Sequence, residues 1–281
     1  MSKKELSLKE IQSEMLRTVI KIDQICSKLQ IKYSLAYGSL IGAIRHNGFI
    51  PWDDDLDIFM SKKDLDIFSD YCDKHEDEIL PFKLCKRGNT KNYSYNIARF
   101  ANLNYEYVNT DKYQAMFDIG VFVDIYPIEG FGNDENEAIK ILNRCKRLNR
   151  LYYIYINPFS RKNYINTFLK KIINKLLHIR FKDNYFKYQN KRFDTILSHY
   201  SDLNCKYVGN VRWAELMVLL DRNKIFDEFG HFKVIKHKFE NVELCIFKNY
   251  DYVLKKTYGN YMQLPPENER HPYHEYKIYK R

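Results

Sequence analysis

From Gly38 to Met60 the sequence runs GSLIGAIRHNGFIPWDDDLDIFM, with Asp53, Asp54, Asp55 and Asp57 crowded among Ile50, Trp52, Leu56, Ile58 and Phe59. Apolar flanks of this kind draw the segment out of water, whereas carboxylates packed so closely repel one another and resist burial. A fold that accommodates both must place positive charge among the acids. A divalent cation is the simplest such charge, and it points to metal-dependent phosphate chemistry. Spacing narrows the choice of ligands. Asp55 and Asp57 lie two apart, so on a strand they project to one face while Leu56 turns into the core.

With 281 residues, 45% of them hydrophobic, the chain can build one large domain or a domain with a substantial appendage. Cys26, Cys72, Cys85, Cys145, Cys205 and Cys245 form no CxxC pair and no zinc-type spacing with histidine, which favours reduced thiols and a cytoplasmic setting. The opening MSKKELSLKE lacks an apolar signal core, and no stretch reaches the roughly 18 uninterrupted apolar residues of a membrane span. A protein that is soluble or peripherally attached is expected. The formal net charge is +10, from 46 Lys+Arg against 36 Asp+Glu, with the excess gathered between Lys140 and Arg192. A solvated helical face explains that excess as well as an anionic partner does, and nucleic acid, anionic lipid or a phosphate-bearing polymer would each suit it.

Apolar periodicity predicts a long amphipathic helix over 6–29, a strand at 33–37, a short helix through Leu40, Ile41 and Ile44, and a strand at 56–60. Ser61 is placed to cap a helix over 62–78, with Asp64 in its first turn. Further strands are expected at 82–85, 93–101, 122–126 and 242–247, helices at 135–153, 163–177, 185–199 and 250–258, and a loop from Leu264 onwards. The organisation expected is a catalytic core over 1–132, a basic helical region over 133–206, and a segment over 207–281 that packs back on the core. Gly38 and Ser39 end the strand before the acids, where backbone N–H groups can approach a phosphate. A lone acid, Asp124, lies in the later apolar run Val121, Phe122, Val123, Asp124, Ile125, Tyr126. A salt-bridged strand residue is the competing reading of Asp124. His271 and His274, in HPYHEY, have no metal-binding partners nearby in sequence and read as surface histidines.

The order Gly-Ser, then Asp-x-Asp, then a single Asp within a strand resembles the nucleotidyltransferase superfamily, and in detail the LicD family of phosphotransferases. The matching segments are YGSLIGAIRHNGFIPWDDDLDIFM, FVDIYPIEG at 122–130 and HKFENVELCIFKNYDYVLKKTYGNYMQLPP at 237–266. The resemblance implies an α+β fold, with a nucleotidyltransferase-like core of mixed twisted sheet flanked by helices and an added basic helical region. It makes Asp55, Asp57 and Asp124 the catalytic acids and the ligands of Mg²⁺ or Mn²⁺. It places Gly38, Ser39, Arg45 and His46 on the donor phosphates, and gives Trp52, Asp53 and Asp54 supporting roles. The implied reaction moves a phospho-alcohol, with phosphocholine favoured, from a CDP-activated donor to a hydroxyl of a cell-surface glycan, releasing CMP. Asp124 is the candidate base and His46 the alternative. Ethanolamine, glycerol or ribitol could replace choline as cargo, and teichoic acid, lipopolysaccharide or a capsule precursor could be the acceptor. A lipid-linked acceptor would give the basic helices a reason to lie near an anionic membrane face. For a choline donor, Trp52, Tyr93, Tyr95, Tyr126 and Trp213 are conceivable aromatic walls. The rivals are transfer of a nucleoside monophosphate from a triphosphate, and an inactive basic module that binds glycan or nucleic acid. The favoured reading expects no nucleic acid partner.

Overall fold

The computed structural model describes residues 3–90, 93, 95–109, 119–156, 164–200, 205–213, 219–274 and 276–281. Helix α1 (Leu8–Leu29) starts at a capping box in which Ser7 Oγ accepts from the Glu10 N–H and the Glu10 carboxylate accepts from the Ser7 N–H. Its stripe of Ile11, Met15, Val19, Ile22 and Ile25 is buried, as helical spacing predicts. Strand β1 (Tyr33–Leu35) is shorter than expected because Tyr37 opens helix α2 (Tyr37–His46). The acids then lead into β2 (Asp57–Ser61), and Ser61 caps α3 (Lys62–Lys74) by accepting from the Asp64 N–H at 3.0 Å. The helix expected over 62–78 breaks at His75 and resumes as the short α4 (Glu76–Ile79).

Strands β3 (Phe82–Cys85), β4 (Ala98–Asn102) and β5 (Tyr105–Asn109) precede the long β6 (Val121–Gly132). β6 outruns the expected 122–126 because Pro127 does not break it. Asp124 donates its N–H to Leu56 of the β2 side, so the proline nitrogen points to the opposite edge, between the residues paired with β4 and those paired with β7. Helices α5 (Glu135–Ile156), α6 (Tyr164–Phe181) and α7 (Tyr185–Leu197) follow near the expected spans. The remainder comprises β7 (Tyr207–Gly209), β8 (Leu220–Asp221), the single turn α8 (Arg222–Ile225), a hairpin of β9 (Val234–Phe239) and β10 (Val242–Phe247), α9 (Tyr250–Tyr258) and β11 (Tyr276–Lys280). β11 corrects the expectation of a loop from Leu264 onwards. Within that tail Tyr276, Ile278 and Lys280 alternate with Lys277 and Tyr279, and the strand pairs antiparallel with β5 while burying Ile278.

In the main sheet the order is β1, β2, β6, β4, β3, with β7 joined to β6 and β8 to β7. β2 and β6 run parallel and the other pairings in this sheet are antiparallel. Helices α1 and α3 cover one face, where Phe68 of α3 meets Phe100 of β4 with ring centroids 5.5 Å apart. The basic helices α5 and α7 pack at the far end of β6 around Phe131, Ala138, Ile141, Phe193 and Val211. The result is a mixed α+β fold with a mixed sheet flanked by helices, and it leaves the second sheet face for the acids.

Gly42 decides how closely the loop to the acids can return against α2. A Cβ there would lie 2.5 Å from the Gly48 carbonyl oxygen and 3.2 Å from the Ile50 nitrogen. On a free helix Gly→Ala gains about 1 kcal/mol. Backbone at that distance cannot yield as a side-chain tip can, so Gly42→Ala should lower Tm in a circular dichroism melt. An unchanged or raised Tm would show that the loop is not held there.

Candidate active site

Three neighbouring strands carry the chemistry in register. Asp57 on β2 lies opposite Asp124 on β6, which lies opposite Arg99 on β4, so the three side chains share one sheet face. Arg99 donates Nε–H to Asp124 Oδ1 at 2.6 Å and Nη2–H to Asp124 Oδ2 at 3.2 Å, a bidentate pair buried on both sides. The salt-bridged reading of Asp124 therefore holds, and its partner comes from the strand beside it. Arg99 was missed from sequence, although a lone cation in the apolar run Ile97, Ala98, Arg99, Phe100, Ala101 is the mirror of the lone acid that singled out Asp124.

The remaining acids arrive on the extended segment before β2. Asp53 and Asp55 lie close together, so that the charge of Asp55 disfavours charge on Asp53. Asp54 is buried and faces the C-terminal tail: its Oδ2 accepts from the His274 backbone N–H at 3.0 Å, and its Oδ1 lies 2.9 Å from His274 Nδ1. The Tyr276 hydroxyl donates to the Asp54 carbonyl. The surface reading of His271 and His274 holds, both being exposed, but His274 also has a buried partner that stands 220 residues away, out of reach of any local pattern. Desolvation of its ring disfavours charge on His274, but the hydrogen bond it donates to Asp54 and the charges of Asp55, Asp54 and Asp124 outweigh it and raise its pKa above the usual value.

The amino end of α2 abuts the acids. Ser39 is buried, and its Oγ accepts from the Asp57 N–H at 2.9 Å, so the hydroxyl braces β2. Gly38 is needed for close approach, since a Cβ there would sit 2.8 Å from Asp53 Oδ2. Arg45 and His46 lie at the other end of the helix, about 10 Å along its axis at 1.5 Å per residue. There Arg45 Nη1 donates to the carbonyls of Tyr261 (2.8 Å) and Gln263 (3.2 Å), while Trp52 is flanked by His46 and by the Arg270 guanidinium. The expected donor-binding set is therefore split between the two ends of α2.

A connected run of aromatic rings lies beside the acids, with Tyr126 in the field of Asp57 and Asp124. Tyr37 meets Tyr126 at 5.0 Å, Tyr126 meets Trp213 at 6.1 Å, Trp213 meets Tyr95 at 6.0 Å, and Tyr95 meets Tyr93 at 5.9 Å. Four of the five rings considered from sequence are thus neighbours, and Trp52 stands apart with His46. The Arg99 guanidinium already lies over the faces of Tyr95 and Phe122. Trp213 is held from the helical region, where the buried Asn149 of α5 donates to the carbonyls of Arg212 (2.8 Å) and Trp213 (3.1 Å).

Burial, reinforced by Asp55, Asp124 and Asp53, pushes the Asp57 carboxyl well above the usual carboxylate range against the opposing pull of Arg99. Burial and the charge of Asp55 push Asp53 up to about 9, and burial raises Asp55 as well. Asp57 Oδ1 is buried with no hydrogen-bond partner among the described residues. An acceptor-only atom in that position suits a cation, and the hard oxygen donors suit Mg²⁺ or Mn²⁺. Among the described residues no three His, Cys, Asp or Glu side chains already close around one point. The fit therefore rests on Asp57 and Asp55, with Asp124 held alongside by Arg99.

Arg99→Met would leave the Asp124 carboxylate buried without its partner, which should cost ~3–5 kcal/mol of stability. Arg99→Met combined with Asp124→Leu should recover most of the loss. Urea titrations without added metal read both variants, and a single variant as stable as the parent chain would contradict the pairing.

Residues 30–161, which include Asp55, Asp57, Arg99 and Asp124, match the family described as LicD/FKTN/FKRP, nucleotidyltransferase domain. The lipopolysaccharide cholinephosphotransferase LicD of Haemophilus influenzae is 28% identical over 98% of this chain and 99% of its own length. An uncharacterized protein of Rickettsia prowazekii is 33% identical over 119 residues, 42% of this chain and 41% of its own. Residues 30–161, with the acids among them, thus carry a LicD-family domain, and the similarity to a LicD protein extends along nearly the whole chain.

Proposed function

We propose that the protein transfers phosphocholine from CDP-choline to a hydroxyl of lipopolysaccharide or a related cell-surface glycan, releasing CMP, with Mg²⁺ or Mn²⁺ held by Asp55 and Asp57 and Asp124 as the third acid. The observation that carries the reading is the partnerless, buried Asp57 Oδ1 beside Asp55 and in register with Asp124. The relative named as a lipopolysaccharide cholinephosphotransferase supports choline as cargo and lipopolysaccharide as acceptor. A bound divalent cation would supply neutralising charge for the phosphoryl oxygens as the group moves.

The chain's own residues supply the rest. N–H groups ahead of the first helical bond of α2, Leu40 N–H to Ala36, are available to the donor phosphates. Tyr37, Tyr126 and Trp213 present the aromatic surface that a quaternary ammonium favours, and the full face of Tyr95 is not open to it because Arg99 lies there. Arg45 and Arg270 at the far end of α2, with His46 beside them, would receive the nucleotide that leaves. Arg99 engages both carboxylate oxygens of Asp124 and fixes its position. A loose phosphoryl-transfer transition state asks little more of it than to orient the acceptor hydroxyl and take the proton late. His46, on the far group, is the poorer candidate.

Purified protein with Mg²⁺, CDP-choline and lipopolysaccharide should release CMP, and Asp57→Asn should cut turnover by ~10³-fold or more while leaving the far-UV circular dichroism unchanged. The family description as a nucleotidyltransferase domain sustains one second reading, nucleotidyl transfer from a triphosphate. Pyrophosphate release from a nucleoside triphosphate, with no CMP from CDP-choline or the ethanolamine, glycerol and ribitol donors, would favour that reading instead.

Because Asp53, Asp55 and Asp57 all have raised pKa values, protons must leave for a cation to bind. Affinity for Mn²⁺ should therefore rise with pH up to about 9, with proton release visible by calorimetry in buffers of different ionisation enthalpy. Binding that is flat with pH and releases no proton would contradict the assignment.

A further inference from the structure

Helix α6 (Tyr164–Phe181) packs chiefly on α5, on α7 and on the turn that joins it to α7. Its inward side is marked by Asn174, which donates to the carbonyls of Ile154 (2.9 Å) and Tyr155 (2.8 Å) at the end of α5. None of its described side chains is buried. On the other side Phe168, Leu169, Ile172, Ile173, Leu176 and Ile179 are 36% to 67% exposed. At about 100° per residue they fill one continuous arc of roughly 140°. Leu151, Tyr153 and Ile156 at the neighbouring end of α5 are also exposed. An apolar arc this wide marks a surface that is covered in use.

Charge selects what covers it. The helix holds Lys170, Lys171, Lys175 and Arg180 and no Asp or Glu, a local charge of +4. On the helical wheel Lys171 and Lys175 border the apolar arc on one side, and Arg180 falls near its other edge, between Leu169 and Ile173. A second copy of the chain would press these like-charged borders together with no acid on the helix to pair them. An anionic lipid surface satisfies both features: the apolar arc enters the acyl boundary and the basic borders meet the headgroups. Among the described residues no helix is long and apolar enough to cross a membrane, so the helix lies along the surface.

We propose that α6 docks the protein on an anionic membrane face, with Phe168, Ile172, Leu176 and Ile179 inserted and Lys175 and Arg180 at the headgroups. The surface belongs to elements separate from the acids, so the proposal stands whether or not the transfer reading holds, and its test uses no turnover.

The full chain is co-sedimented with vesicles of phosphatidylglycerol and phosphatidylcholine, and with vesicles of phosphatidylcholine alone. Binding to the anionic vesicles is expected, falling as salt is added. Phe168→Ser with Leu176→Ser should weaken it about 10-fold or more, both side chains being more than half exposed (58% and 60%) and so replaceable without harm to the core. Lys175→Glu with Arg180→Glu keeps the apolar arc and should abolish the preference for anionic over neutral vesicles, which preserves the test if the first variant fails to fold. Equal binding to both vesicle types, or unaltered binding by either folded variant, overturns the proposal. It is also overturned if the lipid-free protein is a dimer by sedimentation velocity and the serine variant is a monomer, since the face would then join two copies.

Discussion

The ion pair between Arg99 and Asp124 lies across two central strands, and the rest of the site is arranged about it. Buried carboxylates on one sheet face would repel one another without a fixed positive charge, and Arg99 supplies that charge from the neighbouring strand by a bidentate bond. The parallel pairing of β2 with β6 then sets Asp57 level with Asp124, where Arg99 can only partly offset its burial. What remains unbalanced is Asp57 Oδ1. The proposed cation site rests on that atom.

Two distant parts of the chain complete it. The tail folds back so that the backbone and ring of His274 hold Asp54, and β11 secures that position by pairing with β5. The helical region reaches the site through Asn149, which fixes Trp213 beside Tyr126, and Asn149 is itself fixed by Asn96 at 2.7 Å. Glu129, near the end of β6, pairs with Arg212 at 2.5 Å and ties the same segment to the sheet. Substitutions at Asn149 or Glu129 would thus act on the aromatic wall without touching the acids.

Much of this was legible in the residues. Helices α1, α5, α7 and α9 follow apolar periodicity, Ser61 announces its cap, and Asp55 and Asp57 are marked by paired spacing among apolar neighbours. Where reading failed, a long-range partner decided the outcome. Pro127 looks like the end of a strand until β6 is seen to change neighbours there. The demand for positive charge among the acids is evident, and a divalent cation is its simplest answer in sequence, but Arg99 meets part of it from a strand that only the fold brings alongside. His274 shows no sign in sequence of the aspartate it holds. Arg45 and Ser39 lie close to the acids in sequence, but the length of α2 separates the first from them and the Asp57 N–H engages the second.

The central claim is that Asp57 Oδ1 is a ligand of a divalent cation at a site facing an aromatic wall for the cargo. A crystal structure with Mn²⁺ and CDP-choline, phased for anomalous signal, tests it directly. The account predicts a manganese peak within about 2.3 Å of Asp57 Oδ1, shared with Asp55, and the choline head against Tyr126 and Trp213. Manganese bound elsewhere, or a donor seated with Asp57 Oδ1 still without a partner, would contradict it.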